Sequence, residues 1–111
     1  MTGARLATGI WVAAYLHRLQ LAGIPAYVIT KGDTTAGAVL VKLARMDGTA
    51  CAYTRRFDFE QDTRVWDVLC DGPEAEVDAA ISRQRSFDSD LWVVEVEDAR
   101  GRHLLDEDGL G

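Results

Sequence analysis

The densest group of side chains able to do chemistry lies in the last third of the chain. Arg83, Gln84 and Arg85 are followed closely by Asp88 and Asp90, and we call these residues the arginine–aspartate cluster. A guanidinium binds a carboxylate or a phosphate through two parallel hydrogen bonds, so the cluster fits a site for a small anionic ligand. It also fits a structural role, which we favour, in which Arg85 pairs with Asp88 or Asp90 and locks a turn.

Two more residues, Gln84 and Arg18, belong to the description of this candidate site. Gln84 falls on the apolar stripe of the second predicted helix, where a buried amide needs hydrogen-bond partners. We therefore predict that its side chain is hydrogen-bonded inward. Arg18, on the first predicted helix, is added to the candidate ligand-binding residues as a further guanidinium for an anion.

The histidines and cysteines do not form a metal or nucleophile motif. The two cysteines, Cys51 and Cys70, lack the short paired spacing of zinc ligands. His17 and His103 are isolated, and no serine, cysteine or acid stands at helical spacing from His17. We therefore predict no catalytic residue, no metal ion and no cofactor, and we interpret the cysteines as small core residues.

Two weaker patterns have simpler explanations than a binding site. The loop from Gly32 to Gly37 has the glycine spacing of a phosphate-binding loop, but Ala38 stands where that motif requires lysine. A strand, not a helix, is predicted to follow, so we interpret the loop as a strand connection. Glu95 and Glu97 share one face of a predicted strand, and a solvated strand face explains them.

The charge balance limits the classes of partner. The 111 residues carry a formal net charge of −6, with a pI of about 4.7. Binding to nucleic acid or to an anionic membrane needs a basic surface, so we predict neither, although Arg55-Arg56 is a local basic patch.

The longest near-apolar run, Gly9 to Leu16, is far too short to span a bilayer. No signal-peptide cleavage site is evident, so we expect a cytoplasmic protein.

The first helix is predicted to run from Thr8 or Gly9 to about Ala22, and Gly23 and Pro25 end it. It is apolar over more than half of its circumference, so it is either deeply covered or has a partner. Its core stripe consists of Trp11, Val12, Tyr15, Leu16, Leu19 and Ala22, and its apolar far side carries Ile10, Ala14 and Leu21.

Five strands and a second helix complete the predicted order of helix, four strands, helix, strand. Asp47-Gly48 is the clearest hairpin turn, because it supplies the positive φ angles of a tight turn. Short connections between successive strands require antiparallel neighbours. The strands are predicted at residues 26–31, 38–46, 49–57, 64–70 and from residue 91, and the second helix begins at Pro73.

These elements predict an α+β fold: a single five-stranded, mainly antiparallel sheet with both helices packed on one face. We predict that residues 1–111 form one domain, whose acidic end, at about residues 104–111, frays. Trp11, Trp66 and Trp92 are predicted to be core residues. The alternating residues Tyr53, Arg55 and Phe57 fit stacking on a base or packing against a protein partner.

The sequence resembles a family of short alphaproteobacterial proteins known only as a domain of unknown function. The resemblance covers nearly the whole chain, and its most specific part is the block from Arg83 to Glu95. It implies a small, free-standing bacterial protein and no particular activity, cofactor or catalytic residue. The matching segments are residues 11–16, 23–26, 31–33, 36–42, 47–50, 83–85, 88, 90–95 and 97–98.

The sequence therefore leaves two functions open. The leading hypothesis is a small non-enzymatic binding or protein-interaction module, with a homodimer or another protein as partner. It depends on the absence of a catalytic set and on surplus apolar residues: Ile10, Ala14, Leu21, Tyr53 and Phe57. The alternative is a small enzyme or anionic-ligand-binding protein that uses the arginine–aspartate cluster, with Arg18 as an additional ligand-binding residue.

Overall fold

The structure, a computed structural model, describes residues 6–110, apart from the side chain of Phe57. The predicted order of helix, four strands, helix, strand is confirmed. The elements are α1 (Thr8–Leu21), β1 (Ala26–Thr30), β2 (Val39–Ala44), β3 (Thr49–Asp58), β4 (Thr63–Pro73), α2 (Glu74–Phe87) and β5 (Trp92–Glu97).

The five strands form one sheet in the order β1-β5-β2-β3-β4. All neighbouring strands are antiparallel except β5 and β2, which run parallel. The chain leaves β4 at one edge, crosses the sheet through α2, and inserts β5 between β1 and β2. A crossover of this length allows a parallel pair, whereas the short turns between the other strands do not. The predicted α+β class and the mainly antiparallel sheet are confirmed.

The two helices lie on opposite faces of the sheet, so the prediction that both pack on one face is wrong. Val39, Val41 and Leu43 of β2 pack in one core cluster with α1. Leu40 of β2 packs in a second cluster with Ile81 of α2. Successive side chains of a strand point to opposite faces, and a strand that is apolar in both directions needs cover on both sides.

Helix α1 ends where the sequence indicates. Gly23 adopts a φ of 74°, in the left-handed region that glycine tolerates, and Ile24 N–H donates to the carbonyl of Leu19 at 2.9 Å. The predicted stripe is buried as far as Leu19, except that Leu16 is half-buried, whereas Ala22 is exposed because the helix has already ended at Leu21. The buried stripe therefore fixes how α1 lies on the sheet.

The core on the α1 face is built around aromatic rings. Trp11 stacks on Tyr15, with ring centroids 5.0 Å apart, and lies 5.6 Å from the ring of Trp66. Trp92 is also buried on this face, and its Nε1 donates to the carbonyl of Asp33 at 2.7 Å. The three tryptophans therefore contribute to the core, and burial of such large rings is a major source of stability.

The end of the chain packs against the α1 face, and the prediction that it frays is wrong for the described part. In residues 103–110, which we call the C-terminal strap, Leu105 and Leu110 are buried. Tyr15 Oη donates to the carbonyl of His103 at 2.8 Å, and Trp66 Nε1 donates to the carbonyl of Leu110 at 3.0 Å. Two leucines within this acidic segment, Leu105 and Leu110, therefore pack against α1 and the β3–β4 side of the sheet.

Candidate functional site

The arginine–aspartate cluster lies at the end of α2 and in the turn that leads to β5. Arg83 and Arg85 are exposed, and neither forms an ion pair with Asp88 or Asp90 within the described residues. Asp88 Oδ1 instead accepts a hydrogen bond from the backbone N–H of Asp90 at 2.9 Å. The predicted ion-pair lock on the turn is therefore wrong, because an aspartate two residues back can bond the backbone directly.

The cluster does not converge on one enclosed pocket. Arg85 and Asp88 line a shallow, open cleft near the end of β1, but Arg83 and Asp90 do not. Gln84 is half-buried, and its side chain has no hydrogen bond to a described residue, so the predicted inward bond is not formed. A site for an anion normally directs several donors at one point, and this helix end does not do so.

Backbone contacts, not arginines, hold the turn before β5. The carbonyl of Asp90 accepts a hydrogen bond from Asp33 N–H at 3.0 Å. A Cβ on Gly32 or Gly37 would collide with the same carbonyl oxygen. The two glycines of the loop are therefore explained by a close approach of backbone to backbone, which only glycine permits.

Arg18 lies far from the cluster, because α1 and α2 cover opposite faces of the sheet. Its Nη1 donates to the carbonyl of Asp108 at 2.7 Å and lies 3.8 Å from the carboxylate of Glu107. Both partners belong to the C-terminal strap. Arg18 therefore ties the strap to α1 in this structure, and the fold does not bring it to the other candidate ligand-binding residues.

A buried lysine is the charged centre that the sequence analysis missed. Lys42 of β2 is 6% exposed and lies on the α2 face. Its Nζ is 2.7 Å from Glu74, 2.8 Å from Asp78 and 3.5 Å from Glu95. The sequence held two signals: a lysine interrupts an apolar strand, and two acids stand four residues apart on one helix face.

The carboxylates around Lys42 fix its protonation state. Burial alone would lower the pKa of Lys42, but hydrogen bonds to Asp78 and Glu74 and the nearby charge of Glu95 outweigh it and raise the pKa above its ordinary value. Held as an ammonium ion, Lys42 cannot act as an amine nucleophile or accept a proton at neutral pH. The arrangement instead clamps α2 onto β2 and β5.

Three consecutive apolar residues of β1, which is an edge strand, are exposed. Tyr27, Val28 and Ile29 are 52%, 40% and 54% exposed, and Leu21 at the nearby end of α1 is 75% exposed. We call these four residues the β1 edge patch. A shallow cleft between the end of α1 and the start of β1 continues the surface. Exposed apolar groups on an unpaired edge are typical of a site for another chain.

Tyr53 does not belong to the surplus apolar surface on which the interaction hypothesis partly depended. Its ring is half-buried on the α1 face, 4.8 Å from the ring of His103 in a T-shaped contact. Burial is the main cause that raises the pKa of Tyr53 to about 12. The prediction for Phe57 concerns a side chain outside the described part of the structure, whereas Ile10, Ala14 and Leu21 are exposed as expected.

Two features of the described residues bear on other classes of function. Among residues 6–110, no group of three or more histidine, cysteine, aspartate or glutamate side chains is arranged to hold a metal ion. No helix in this part of the chain is long and apolar enough to cross a membrane. The structure does bring together the charges around Lys42 and the apolar residues of the β1 edge patch.

Fold and surface together define a small α+β domain with an open sheet, and comparison with known proteins identifies its family. The family described as "Protein of unknown function (DUF1491)" matches residues 6–106, and the chain belongs to this family. The resemblance noted from the sequence is thereby confirmed. The comparison with curated proteins gives no match.

Solved structures of family members share the fold. A crystal structure of a DUF1491 family protein from Caulobacter crescentus is 44% identical, with a TM-score of 0.79 over 92% of this chain and 94% of that chain. An NMR structure of a DUF1491 family protein from the same organism is 43% identical, with a TM-score of 0.82 over 95% and 96%. A solution structure of a protein from A. tumefaciens is 33% identical, with a TM-score of 0.72 over 85% and 86%.

Proposed function

We propose that the chain is a non-enzymatic protein-interaction module that forms a homodimer through the β1 edge patch. The observation that carries this proposal is the exposure of Tyr27, Val28 and Ile29 together on an edge strand. An edge strand presents unpaired backbone donors and acceptors, and a second strand that pairs with them also covers the side chains.

The composition of β1 favours a second copy of this chain as the partner. The strand, Ala26–Thr30, carries no charge, whereas the chain has a net charge of −6. Two copies can approach along an uncharged strand without like charges facing each other. A twofold antiparallel pairing would place the same apolar surface of both copies in contact, as closed dimers require.

The bulge in β1 shapes how such a dimer forms. The register of β1 against β5 shifts between Val28 and Thr30, and Ile29 is the additional residue. A bulge interrupts a regular ladder, so long strand pairing contributes less here than side-chain burial. Leu21 at the end of α1 adds apolar area beside the strand, which supports an interface made jointly by β1 and α1.

The alternative function, an enzyme or anion-binding protein at the arginine–aspartate cluster, has less support. The cluster arginines line no shared pocket, and the turn is held by backbone contacts.

We place the proposed dimer in the cytoplasm, where cysteines stay reduced, and this agrees with its two free cysteines. Cys51 pairs with Asp71 and Cys70 with Ala52 on neighbouring strands, so the two thiols face opposite sides of the sheet and cannot bridge each other.

Sedimentation velocity at micromolar concentrations tests the dimer. We expect Ile29→Lys to weaken self-association by about tenfold or more, because it places a charge in the apolar contact. Val68→Lys on β4, the other edge strand, is the matched control: Val68 is 57% exposed and Ile29 54%. Circular dichroism establishes that both variants fold.

Three results would separate the possible outcomes. A dimer that is lost in Ile29→Lys and retained in Val68→Lys supports the proposal. A wild-type chain that stays monomeric at all accessible concentrations contradicts it. A dimer that is lost only in Val68→Lys would move the interface to β4 and would also contradict the assignment of the β1 edge patch.

A further inference from the structure

A cleft opens at the N-terminal end of α1, on the side of the molecule away from the β1 edge patch. It has a volume of about 390 Å³, within the usual range for small-ligand sites. Three segments form its walls: the entry to α1, the loop before β2, and the arginine-bearing parts of β3 and β4. The lining residues are Leu6, Ala7, Thr8, Thr35, Ala36, Gly37, Ala38, Arg55, Arg56 and Arg64.

Three of these residues are arginines, and we call the site the arginine cleft. None of the described lining residues is acidic, although the chain as a whole has a net charge of −6. Positive charge concentrated in the wall of a cleft raises the local concentration of anions. The composition of this lining therefore selects for an anionic ligand.

Two of the arginines are fixed by contacts outside the cleft. The guanidinium carbon of Arg55 lies 4.9 Å from the ring centroid of Trp11 and 5.5 Å from that of Trp66. Arg56 forms an ion pair with Asp67. These contacts with the two rings hold the Arg55 guanidinium at the wall of the cleft.

Hydrogen bonds tie the loop wall of the cleft to the start of α1. Thr8 Oγ1 donates to the carbonyl of Gly37 at 2.8 Å, and Gly9 N–H donates to the carbonyl of Thr34 at 2.9 Å. Loop carbonyls therefore already satisfy N–H groups in the first turn of α1. The attraction for an anion comes from the arginines, and the fixed loop supplies shape.

We propose that the arginine cleft binds a small phosphate-bearing anion. Guanidinium groups match the geometry of phosphate oxygens through paired hydrogen bonds, and three arginines line this cleft. Two features that stood apart in the sequence meet here: the basic pair Arg55-Arg56 and the loop with phosphate-loop glycine spacing. This site is separate from the proposed dimer contact.

Isothermal titration calorimetry with pyrophosphate tests the site, with inorganic phosphate and malonate titrated in parallel. Ionic strength is held constant with sodium chloride. We expect saturable binding of pyrophosphate at one site per chain. Arg64→Gln should weaken that binding by about tenfold or more, since a hydrogen-bonded charge is lost. Arg83→Gln is the matched control, because it removes the same charge from an exposed position outside the cleft.

The outcomes distinguish a phosphate site from general charge attraction. Loss in Arg64→Gln with unchanged binding in Arg83→Gln supports the proposal. Absence of saturable pyrophosphate binding, equal weakening in both variants, or binding of malonate without binding of either phosphate probe overturns it. If circular dichroism shows that Arg64→Gln is unfolded, Arg56→Gln, at an exposed cleft residue, takes its place under the same criteria.

Discussion

The two faces of the sheet are built from the same strands, yet they are held by different chemistry. The α1 face carries large aromatic and branched side chains, and both a helix and the C-terminal strap pack against it. The α2 face carries smaller residues such as Ala50 and Ala52, and α2 packs there beside the buried charge of Lys42. One face is stabilised mainly by apolar area and the other combines less area with an ion-pair network.

This difference shows how one helix can cover its face of the sheet while the other face needs two elements. Small side chains let α2 pack against the strands, and the three carboxylates around Lys42 hold it in register. On the wider aromatic layer, the strap covers what α1 leaves open: His103 contacts the ring of Tyr53, and the carbonyl of Leu110 accepts a hydrogen bond from Trp66. Apolar area and charge therefore have separable effects on stability.

The largest expected effect is on the aromatic face. Trp11→Ala should lower the free energy of unfolding by about 3–5 kcal/mol, because it removes a buried ring and leaves a cavity. Phe87→Ala is the matched control at an exposed aromatic residue and should change stability by no more than about 0.5 kcal/mol. Urea denaturation measures both. Equal midpoints for the two variants would show that Trp11 does not anchor the α1 face.

The second expected effect tests whether the strap is part of this face. Leu105→Ala should cost about 2–4 kcal/mol, since Leu105 is buried in the α1-face core. Val68→Ala, at an exposed aliphatic residue outside the proposed dimer contact, serves as the control and should cost far less. Urea denaturation of the two variants is again the measurement. A cost below that of Val68→Ala would mean that the strap contributes no packing energy.

The third expected effect tests the charged face. Lys42→Met keeps most of the side-chain volume but removes the cation, so it should cost about 1–3 kcal/mol at neutral pH. The partial exposure of Glu74 and Asp78 keeps this value moderate. Lys31→Met, at the exposed lysine, is the control and should leave the urea midpoint nearly unchanged. An unaffected Lys42→Met would show that α2 is held by apolar contacts alone.

Alkaline pH gives the same face a second test. The pKa of Lys42 is raised in the folded protein, so its stabilising effect is complete below its ordinary value of 10.5 and is lost as the pH rises above it. The difference in unfolding free energy between wild type and Lys42→Met should therefore shrink at strongly alkaline pH. A difference that grows with pH would contradict the assigned direction of the shift.

The smallest expected effect concerns His103 in the strap. Its Nδ1 accepts the N–H of Leu105 at 2.9 Å, and its ring contacts Tyr53. Burial lowers the pKa of His103, while the charge of Asp106 opposes this shift. The neutral form is therefore favoured in the folded state, and stability should fall as the pH drops below the ordinary value of 6.5.

Melting temperatures measured between pH 7.5 and pH 5 check this expectation. His103→Gln should reduce the acid-side loss of stability that the wild type shows. His17→Gln, at an exposed histidine of α1, should retain the full loss. If His103→Gln and wild type lose stability in parallel, protonation of His103 does not loosen the strap.

Local signals account for what could be predicted of the fold. The Asp47-Gly48 hairpin forms because Gly48 takes a φ of 88° and Asp47 Oδ1 accepts the N–H of Thr49 at 2.9 Å. The stripe of α2 buries Val77, Ala80 and Ile81 as its helical period indicates. Such features depend on neighbours within a few residues, so they can be inferred from sequence alone.

The candidate site was harder to predict, because nearness in sequence was taken for nearness in space. Arg83 and Arg85 stand close to two aspartates in the chain. In the structure, however, the carboxylate of Asp88 accepts a hydrogen bond from a backbone N–H of the turn, and the two arginines are exposed. The charges that do meet are far apart in sequence: Lys42 contacts Glu74 and Asp78 of α2, and Glu95 of β5. The parallel register of β2 and β5 places Glu95 beside Lys42, and the packing of α2 on the sheet brings the two other acids to it.

The sequence by itself determined the α+β class, the order of the elements and most of the residues that each helix buries, because periodicity, turns and caps are short-range. The tertiary structure decided which face each helix covers and where the last residues go. β2 is apolar in both directions, which demands two covered faces but does not say what covers each. Leu105 and Leu110 are too few for a local period, and only the aromatic surface beside α1 gives them a place to bury.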